Sequence, residues 1–385
     1  MRPALSAEVR GTFHRGDRRE RRGRRDGTEW GVSHKPPLRS LLLISASSAV
    51  ISWRTVIGLV LLCMAPFVRP ASAQTHVLVV SGVGGDAQFT ERFTRWGSDV
   101  VDAARQRLAV PEANVTFLAE HPERDTSING PATKERLEGA LREIAERAGP
   151  GADVVLVLFG HGSDREAEPR FNLVGPDVTA AELATWLAAL KAHRVVVVNT
   201  ASASGGFVPA LAGPGRIVVT ATKSGFERNA TRFGEYFVRA LTAEGAEGAD
   251  TDKDGRLSVL EAFDYARREV ARAYEQEKRL LTEHALLDDD GDGKGSTEPS
   301  VTGGDGVLAA SVFLTAARAA VAADTSDPEV MRLYARRDSL ERRVAELRGA
   351  KSSMAVEIYE RELEELLVEL ATTNRAIRQR EGKRP

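Results

Sequence analysis

Short aliphatic runs recur along the chain, and between them apolar residues return every three or four positions. Two of these runs are residues 153–159 and 194–199. Near-continuous β-branched and aliphatic runs of this length are typical of strands buried on both faces, as in a parallel sheet beneath helices. Between them, Thr179 to Glu182 has the pattern of a capping box at the start of an amphipathic helix. The pattern therefore predicts a strand, a crossover helix and a parallel strand.

The same alternation continues on both sides of this central unit. It predicts further strands at residues 76–80, 114–118 and 216–220, and helices at 89–108, from Pro131 onward, and at 233–241. Strands that alternate with helices in this way form one parallel sheet with helices on both faces. The expected fold class is therefore α/β, with a three-layer arrangement.

The ends of the two central strands carry the candidate site. Gly160, His161 and Gly162 follow the first strand, and Ser202 and Ser204 follow the second. In open α/β sheets, ligands bind at the edge formed by the carboxyl ends of the strands. We therefore expect His161 and the two serines to face one another across a crevice.

The glycine-rich turn after the first strand raises an alternative, a dinucleotide-binding site. This turn, Ser81–Gly85, lacks the third glycine at the required offset. No acidic residue ends the second strand, where Glu120 comes closest. A tight turn beside the crevice is the preferred interpretation.

Residues 250–261 match a calcium-binding loop of EF-hand type. Such a loop supplies oxygen ligands at positions one, three, five, seven, nine and twelve, and position six is a glycine that makes a sharp turn. Every one of these positions is filled here, with Gly255 at position six. The alternative is an acidic turn exposed to solvent. The candidate Ca²⁺ ligands are Asp250, Asp252, Asp254, Arg256 through its carbonyl, Ser258 and Glu261.

A second acidic run, beginning at Asp288, matches the same loop only in part. Position eight is Gly295 instead of an aliphatic residue, and position twelve is Pro299. Weak Ca²⁺ binding and a solvated turn are equally compatible with this pattern. The candidate ligands of this loop are Asp288, Asp290, Asp292 and, one residue short of position twelve, Glu298.

Beyond residue 325 the sequence changes to charged helix with heptad-like apolar spacing. The spacing is interrupted at Gly349–Ser353 and then resumes, and Arg337 occupies one seam position. Two helices joined by a short turn are predicted. They form either a hairpin that packs on the protein itself or a coiled-coil segment that makes a homodimer.

The first 73 residues have the features of an exported protein. Arg54 precedes an apolar run that contains Cys63, and the run is followed by an A-x-A site ending at Ala73. This pattern predicts a signal peptide cleaved near Ala73 and export to the periplasm or the extracellular space. A membrane is expected as a partner only if the segment stays uncleaved.

Composition and charge exclude some partners and some kinds of catalysis. The chain has 385 residues, 42% of them hydrophobic, and a net charge of −2, so it can bury a sizeable core. Arginine is concentrated before residue 40, but upstream of a secretory signal, so nucleic acid is not expected as a partner. Cys63 is the only cysteine, so a mature chain without it has neither disulfides nor thiolate chemistry.

The strand-end motifs resemble those of the legumain and caspase-like group of clan CD cysteine peptidases. The similarity rests on residues 160–162 and 200–205 after two hydrophobic strands, together with 133–137 and 172–177. It implies a caspase-like domain that binds a peptide or protein in the crevice. It further implies that His161 acts as acid and base, and that N–H groups of Gly162 and of the nucleophile form an oxyanion hole.

Ser202 stands where this family has its cysteine. A serine hydroxyl is far less ionised than a thiol near neutral pH, so it needs a base within hydrogen-bond reach that a third group orients. The sequence places no obvious acid to orient His161, although Asp164 and Glu166 follow it closely. Ser204 is an alternative hydroxyl.

Three interpretations follow from these residues. The preferred one is an exported, calcium-binding pseudopeptidase that binds a peptide or protein in its crevice. The second is a hydrolase in which Ser202 is the nucleophile, His161 the base and Gly162 an oxyanion donor. In the third, these side chains only cap strand ends and helix starts.

The expected regions are a head and signal peptide at 1–73, a caspase-like domain at 74–242, an acidic calcium-binding segment at 243–324, and a helical hairpin or coiled coil at 325–385.

Overall fold

The computed structural model describes most of the chain after the predicted signal peptide. The described residues are 75–165, 167–192, 194–242, 248–315, 328–349 and 354–381. The arginine-rich head, Cys63, Ala73 and Glu166 lie outside them. Within the described ranges, no helix is both long enough and apolar enough to cross a membrane.

Strands and helices alternate through the first part of the described chain, and helices dominate its end. The strands are β1 (Thr75–Ser81), β2 (Val115–Ala119), β3 (Gly130–Pro131), β4 (Asp153–Phe159), β5 (Gly162–Arg165), β6 (Glu168–Phe171), β7 (Val178–Thr179), β8 (Arg194–Asn199), β9 (Arg216–Thr220), β10 (Leu257–Ser258), β11 (Leu286–Asp288) and β12 (Phe313–Thr315). The helices are α1 (Ala87–Gln106), α2 (Lys134–Arg147), α3 (Ala180–Ala188), α4 (Phe207–Leu211), α5 (Phe233–Leu241), α6 (Val259–Gln276), α7 (Pro328–Gly349) and α8 (Val356–Glu381).

A seven-stranded sheet lies at the centre, in the order β11-β9-β8-β4-β1-β2-β3. Successive side chains of a strand point to opposite faces. Val77 and Val79 accordingly pack with residues of α1, α5 and α6, whereas Leu78 and Val80 pack with residues of α2 and α3. Both faces of the sheet are thus covered by helices. This confirms the three-layer α/β fold.

The sheet is parallel except at one edge, where the sequence did not predict a strand. The short strand β11 pairs antiparallel with β9, and it comes from the acidic segment. Its apolar part is only Leu286 and Leu287, which is too short to show a strand pattern. A separate antiparallel sheet of β5, β6 and β7 follows β4, and its mixed polar sequence did not predict strands either.

Helix boundaries mostly follow local signals. The capping box of Thr179 and Glu182 is present at the start of α3, as predicted. The helix expected from Pro131 begins instead at Lys134, because the Thr133 side chain accepts the N–H of Arg136 and caps the helix there. Pro131 lies in the edge strand β3, where its missing N–H is tolerated.

The C-terminal helices α7 and α8 pack against each other as a hairpin. Leu340, Val344, Leu347 and Leu366 form one buried cluster between them. Arg337 lies buried in the seam with its guanidinium 4.9 Å from the centre of the Tyr334 ring, a cation–π contact that accommodates the charge. Homodimerisation through these helices stays a prediction.

A carboxylate from the acidic segment caps helix α5. Glu283 accepts the backbone N–H of Arg232 through both carboxylate oxygens at 2.9 Å and that of Phe233 at 3.3 Å. Glu283 is only 4% exposed. Burial raises the pKa of Glu283 to about 7, against the opposing effect of these backbone donors.

This pKa predicts a pH dependence of stability. Folded Glu283 binds its proton more tightly than the unfolded side chain, so its contribution to the free energy of unfolding falls as pH rises from about 4.3 to about 7. The loss is on the order of 3 kcal/mol. Denaturant unfolding of Glu283→Gln should lack this part of the slope.

Glu277→Gln is the matched control for that series. Glu277 is exposed, and the Arg232 guanidinium lowers its pKa. Removal of the Glu277 carboxylate should therefore not change the slope of the unfolding free energy against pH above pH 5. An unchanged slope in Glu283→Gln would contradict the prediction.

Candidate functional site

The pairing of β4 with β8 brings the two candidate strand ends together. Leu158 lies opposite Asn199 in the parallel ladder, and the Thr200 N–H donates to the Leu158 carbonyl at 3.0 Å. Just beyond this point, the Ser202 hydroxyl lies 3.2 Å from both the backbone nitrogen and the carbonyl oxygen of Gly162. Gly162 and Ser202 therefore meet at the ends of these two strands. That His161 faces the two serines across a crevice stays a prediction.

Only glycine fits at position 162. A Cβ atom there would lie 2.6 Å from the Ser202 carbonyl oxygen and 2.8 Å from that of Arg170, closer than real Cβ contacts. The absence of a side chain lets β5 start directly against the Ser202 turn. Ser202 is consequently only 4% exposed.

The imidazole of His161 lies against α1. Its ring centre is 4.7 Å from that of Phe89 and 5.2 Å from that of Phe93, both in edge-on geometry. Burial lowers the pKa of His161, while hydrogen bonding to the Gly84 backbone and the negative charge of Asp86 act in the opposite direction. The ring is thus held against an apolar helix surface, where the neutral imidazole is favoured.

The turn that carries Gly84 is held by Glu120. One oxygen of Glu120 accepts both the Gly84 N–H at 3.1 Å and the Thr90 hydroxyl at 2.9 Å. A Cβ at Gly84 would lie 2.4 Å from the Thr90 nitrogen, so the turn requires glycine. The glycine-rich turn is thus a tight turn beside the crevice, and Glu120 supports it. The tight turn was the preferred interpretation of the glycines, whereas the supporting contacts of Glu120 were not evident from the sequence.

Asp164, which follows His161 closely in the sequence, does not orient its imidazole. In the described part of the chain no hydrogen bond joins His161 to Ser202 or to Asp164. The Asp164 carboxylate instead packs on the backbone of Gly225, where an added Cβ would lie 2.0 Å from its Oδ2 atom. Glu166 lies outside the described residues.

Ser204 is part of a buried network and not of the crevice surface. Its hydroxyl lies 3.2 Å from that of Thr222 and accepts the Thr222 N–H at 3.3 Å. Between the two serines, Ala203 has a φ of 54°, which is unfavourable for a side chain with a Cβ. The Ala203 N–H donates to the Glu227 carbonyl at 2.8 Å, and this bond stabilises the turn.

The hydrogen bonds of the crevice limit its chemistry. The Ser202 hydroxyl donates to the Gly162 carbonyl, and the Gly162 N–H, the expected oxyanion donor, already donates to the Ser202 hydroxyl. A nucleophilic serine passes its proton to a base in hydrogen-bond reach. In this arrangement a carbonyl occupies the place of that base.

The first acidic loop has the geometry of a cation site. Carboxylate oxygens of Asp250, Asp252 and Asp254 lie within 4.8 Å of one another. The Gly255 N–H donates to Asp250 Oδ2 at 3.0 Å, and φ is 82° at Gly255, which gives the sharp turn at position six. The other oxygen of Asp250, Oδ1, is buried without a hydrogen-bond partner. These residues can hold a metal ion.

The remaining predicted ligands of this loop lie at the start of α6. Ser258 and Glu261 form a capping box, and the second oxygen of Glu261, Oε1, accepts the Thr251 N–H at 2.9 Å. Burial, followed by the charge of Asp254, raises the pKa of Asp252, which is the effect expected of carboxylates that are close together without a cation.

Arg256 contributes more than its backbone carbonyl. Its guanidinium bonds Asp254 and Glu341 of α7 and lies 3.6 Å from the centre of the Phe313 ring. The first loop is therefore tied to the C-terminal hairpin. No pattern in the sequence predicted this contact.

The second acidic loop also gathers its carboxylates. Oxygens of Asp288, Asp290 and Asp292 lie within 4.8 Å of one another. The structure does not bring Glu298 into this group: its side chain is 83% exposed and lies 3.9 Å from the Arg267 guanidinium. Both acidic groups could thus hold a metal ion, and Glu298, which the sequence suggested as a ligand of the second, lies apart from it.

Comparison with known proteins adds little to this description. No family model and no curated protein matches the sequence. A structural genomics crystal structure of a protein from Geobacter sulfurreducens is similar to this chain with a TM-score of 0.35 and 14% identity, covering 56% of this chain and 92% of that one. A similarity at that level supports no conclusion about function.

The environment of His161 generates a prediction that separates it from Ser202. Because burial beside α1 lowers its pKa, Phe89→Ala should raise that pKa toward the usual value. Ser202→Ala should leave it unchanged, since no hydrogen bond joins the two side chains. An NMR titration of the His161 imidazole measures both effects, and a shifted pKa in Ser202→Ala would contradict the described geometry.

Proposed function

We propose that this protein is an exported, calcium-stabilised binding module that holds a peptide or protein in its crevice without cleaving it. The observation that carries the non-catalytic part is the pair of hydrogen bonds between Ser202 and Gly162. They engage both the hydroxyl and the expected oxyanion donor. His161, the expected base, packs on α1 instead.

The resemblance to caspase-like and legumain-like peptidases supports a peptide as the ligand, and so does the edge of the crevice. In the described sheet of three strands, β5 pairs only with β6. Its first residue, Gly162, already bonds the Ser202 hydroxyl. We infer that an extended peptide pairs with the rest of this edge. Addition of a strand to such an edge is a common mode of peptide recognition.

An exposed aromatic side chain lies on the loop that borders the Ser202 turn. Phe226 is 88% exposed, and its neighbour Glu227 accepts the Ala203 N–H. A single exposed aromatic ring is common on protein surfaces, but Phe226 lies beside the Ser202 turn, and aromatic side chains dominate many binding interfaces. We infer that Phe226 contacts the ligand.

Calcium is the proposed cation of the first loop. Its ligands are carboxylate, hydroxyl and carbonyl oxygens, the donors that Ca²⁺ prefers, and the loop supplies enough of them for six or more bonds. The carboxylates repel each other in the absence of a cation, so binding is expected to stabilise the fold. The predicted signal peptide supports export to a calcium-containing compartment.

Removal of one carboxylate tests calcium binding. Because burial and, next, the charge of Asp254 disfavour ionised Asp252, Asp252→Asn should raise the melting temperature in EDTA. In calcium at 100 times the dissociation constant, the unmodified site gains about 2.7 kcal/mol, and the variant should lose most of that gain. Thermal melts with and without Ca²⁺ measure both shifts.

Asp99→Asn is the control for charge removal. Asp99 lies on α1 and burial also raises its pKa, so its substitution should change the two melts equally. If EDTA and added Ca²⁺ leave the melting temperature of the unmodified chain unchanged, the calcium proposal fails.

The crevice is tested with a mixed peptide library and a serine-reactive phosphonate. The calcium-loaded full chain should neither cleave the peptides nor be labelled, and it should retain a subset of them. Phe226→Ser should lower that retention by about tenfold, as loss of an aromatic contact typically does. Val368→Ser, at an exposed apolar position of α8, should not.

The same assay can overturn the proposal. Cleavage and labelling that disappear in both Ser202→Ala and His161→Ala would show a serine peptidase, the second interpretation of the sequence. If the peptides are neither cleaved nor retained, the side chains of the crevice have only a structural role.

A further inference from the structure

The two acidic loops share the same internal hydrogen bonds. In the first, the N–H groups of Asp254, Gly255 and Arg256 donate to Asp252, Asp250 and Asp254, respectively. In the second, the N–H groups of Asp292, Gly293 and Lys294 donate to Asp290, Asp288 and Asp292. Positions one to seven of the second loop therefore adopt the conformation of the first, despite its degenerate sequence.

A buried, unsatisfied oxygen points to a ligand at the second loop. Asp288 is fully buried, at 0% exposure. Its Oδ2 accepts the Gly293 N–H at 2.7 Å, but its Oδ1 has no hydrogen-bond partner. An unpaired buried carboxylate oxygen is costly, and a cation held among Asp288, Asp290 and Asp292 would satisfy it.

The second loop needs a carboxylate in place of the missing one at position twelve. In the first loop that carboxylate is Glu261, and its Oε1 accepts the N–H of Thr251 at position two. In the second loop the N–H at position two belongs to Asp289. It donates to Oδ1 of Asp305 at 3.0 Å.

We propose that Asp305 completes a second calcium site with Asp288, Asp290 and Asp292, and that Glu298 has no part in it. Asp305 makes the backbone contact that Glu261 makes in the first loop, although it reaches the loop from outside the twelve-residue motif. With the Lys294 carbonyl at position seven, the ligands are all hard oxygens, as Ca²⁺ requires. Each site then has four carboxylates.

The connection that brings Asp305 to the loop is well fixed. Asp289, at position two, accepts the N–H groups of Gly306 at 2.8 Å and Ala309 at 2.7 Å. The Ser300 N–H donates to the Asp305 carbonyl at 2.7 Å. These bonds hold Asp305 at the loop from both sides. The proposal concerns residues that neither the crevice nor the first loop shares, so it does not rest on the function proposed above.

Calorimetric titration of the full chain tests this site in isolation. Asp250→Asn and Asp252→Asn together remove the first site, and the Ca²⁺ binding that is left is then measured. On this background, Asp305→Asn should weaken binding by about tenfold or more, as expected for loss of a charged ligand. Glu298→Gln, the matched control, should leave the affinity within about twofold of the background.

Asparagine keeps an oxygen that accepts the Asp289 N–H, so the fold should be retained, and circular dichroism in EDTA verifies this. The proposal is overturned if the background binds no Ca²⁺, or if Asp305→Asn has no effect while folded. A weaker affinity in Glu298→Gln alone would assign the ligand to Glu298 instead.

A measurement on the unmodified chain covers the case in which Asp305→Asn does not fold. A crystal of the full chain soaked in Ca²⁺ should show an ion with an Asp305 oxygen at about 2.3–2.6 Å. An ion bound without Asp305, or no ion at the second loop, would refute the proposal. If only the first loop fails to bind Ca²⁺, the proposal for the second loop still stands.

Discussion

The parallel pairing of β4 with β8 is the interaction on which the crevice depends. A shift of one residue would exchange the side chains that face the two helical layers, so burial on both faces fixes the register. With Leu158 opposite Asn199, the chain leaves both strands at the same level, and Gly162 meets Ser202. The hydrogen bonds between them follow from that register together with the missing side chain of Gly162.

The acidic segment is built into the same fold. Strand β11 extends the central sheet, and it ends at Asp288, the first residue of the second loop. Strand β12 pairs with β10, which lies within the first loop. Residues 305–315 thus connect the two acidic groups, and Arg256 joins the first of them to α7. Charge repulsion in either loop therefore acts directly on elements that hold the domain together.

Much of this architecture was predictable because its signals are local. The strands at 153–159, 194–199 and 216–220 have the bounds that their aliphatic runs indicate, since a strand buried on both faces must be apolar at nearly every position. The gathering of Asp250, Asp252 and Asp254 was predictable for a similar reason, because one short loop contains all three. Strand β11 and the sheet of β5 to β7 were missed because they are short and have no such pattern.

The sequence by itself determined the α/β class, the meeting of the two strand ends and the first acidic loop, all of which depend on neighbouring residues or on a regular repeat. Only the tertiary structure decided that His161 faces α1, that Glu120 holds the turn at Gly84, and that Asp305 reaches the second loop. These contacts join residues that no periodicity relates. They arise because packing of helices and loops on the sheet brings such residues together, and a single sequence contains no local signal for that packing.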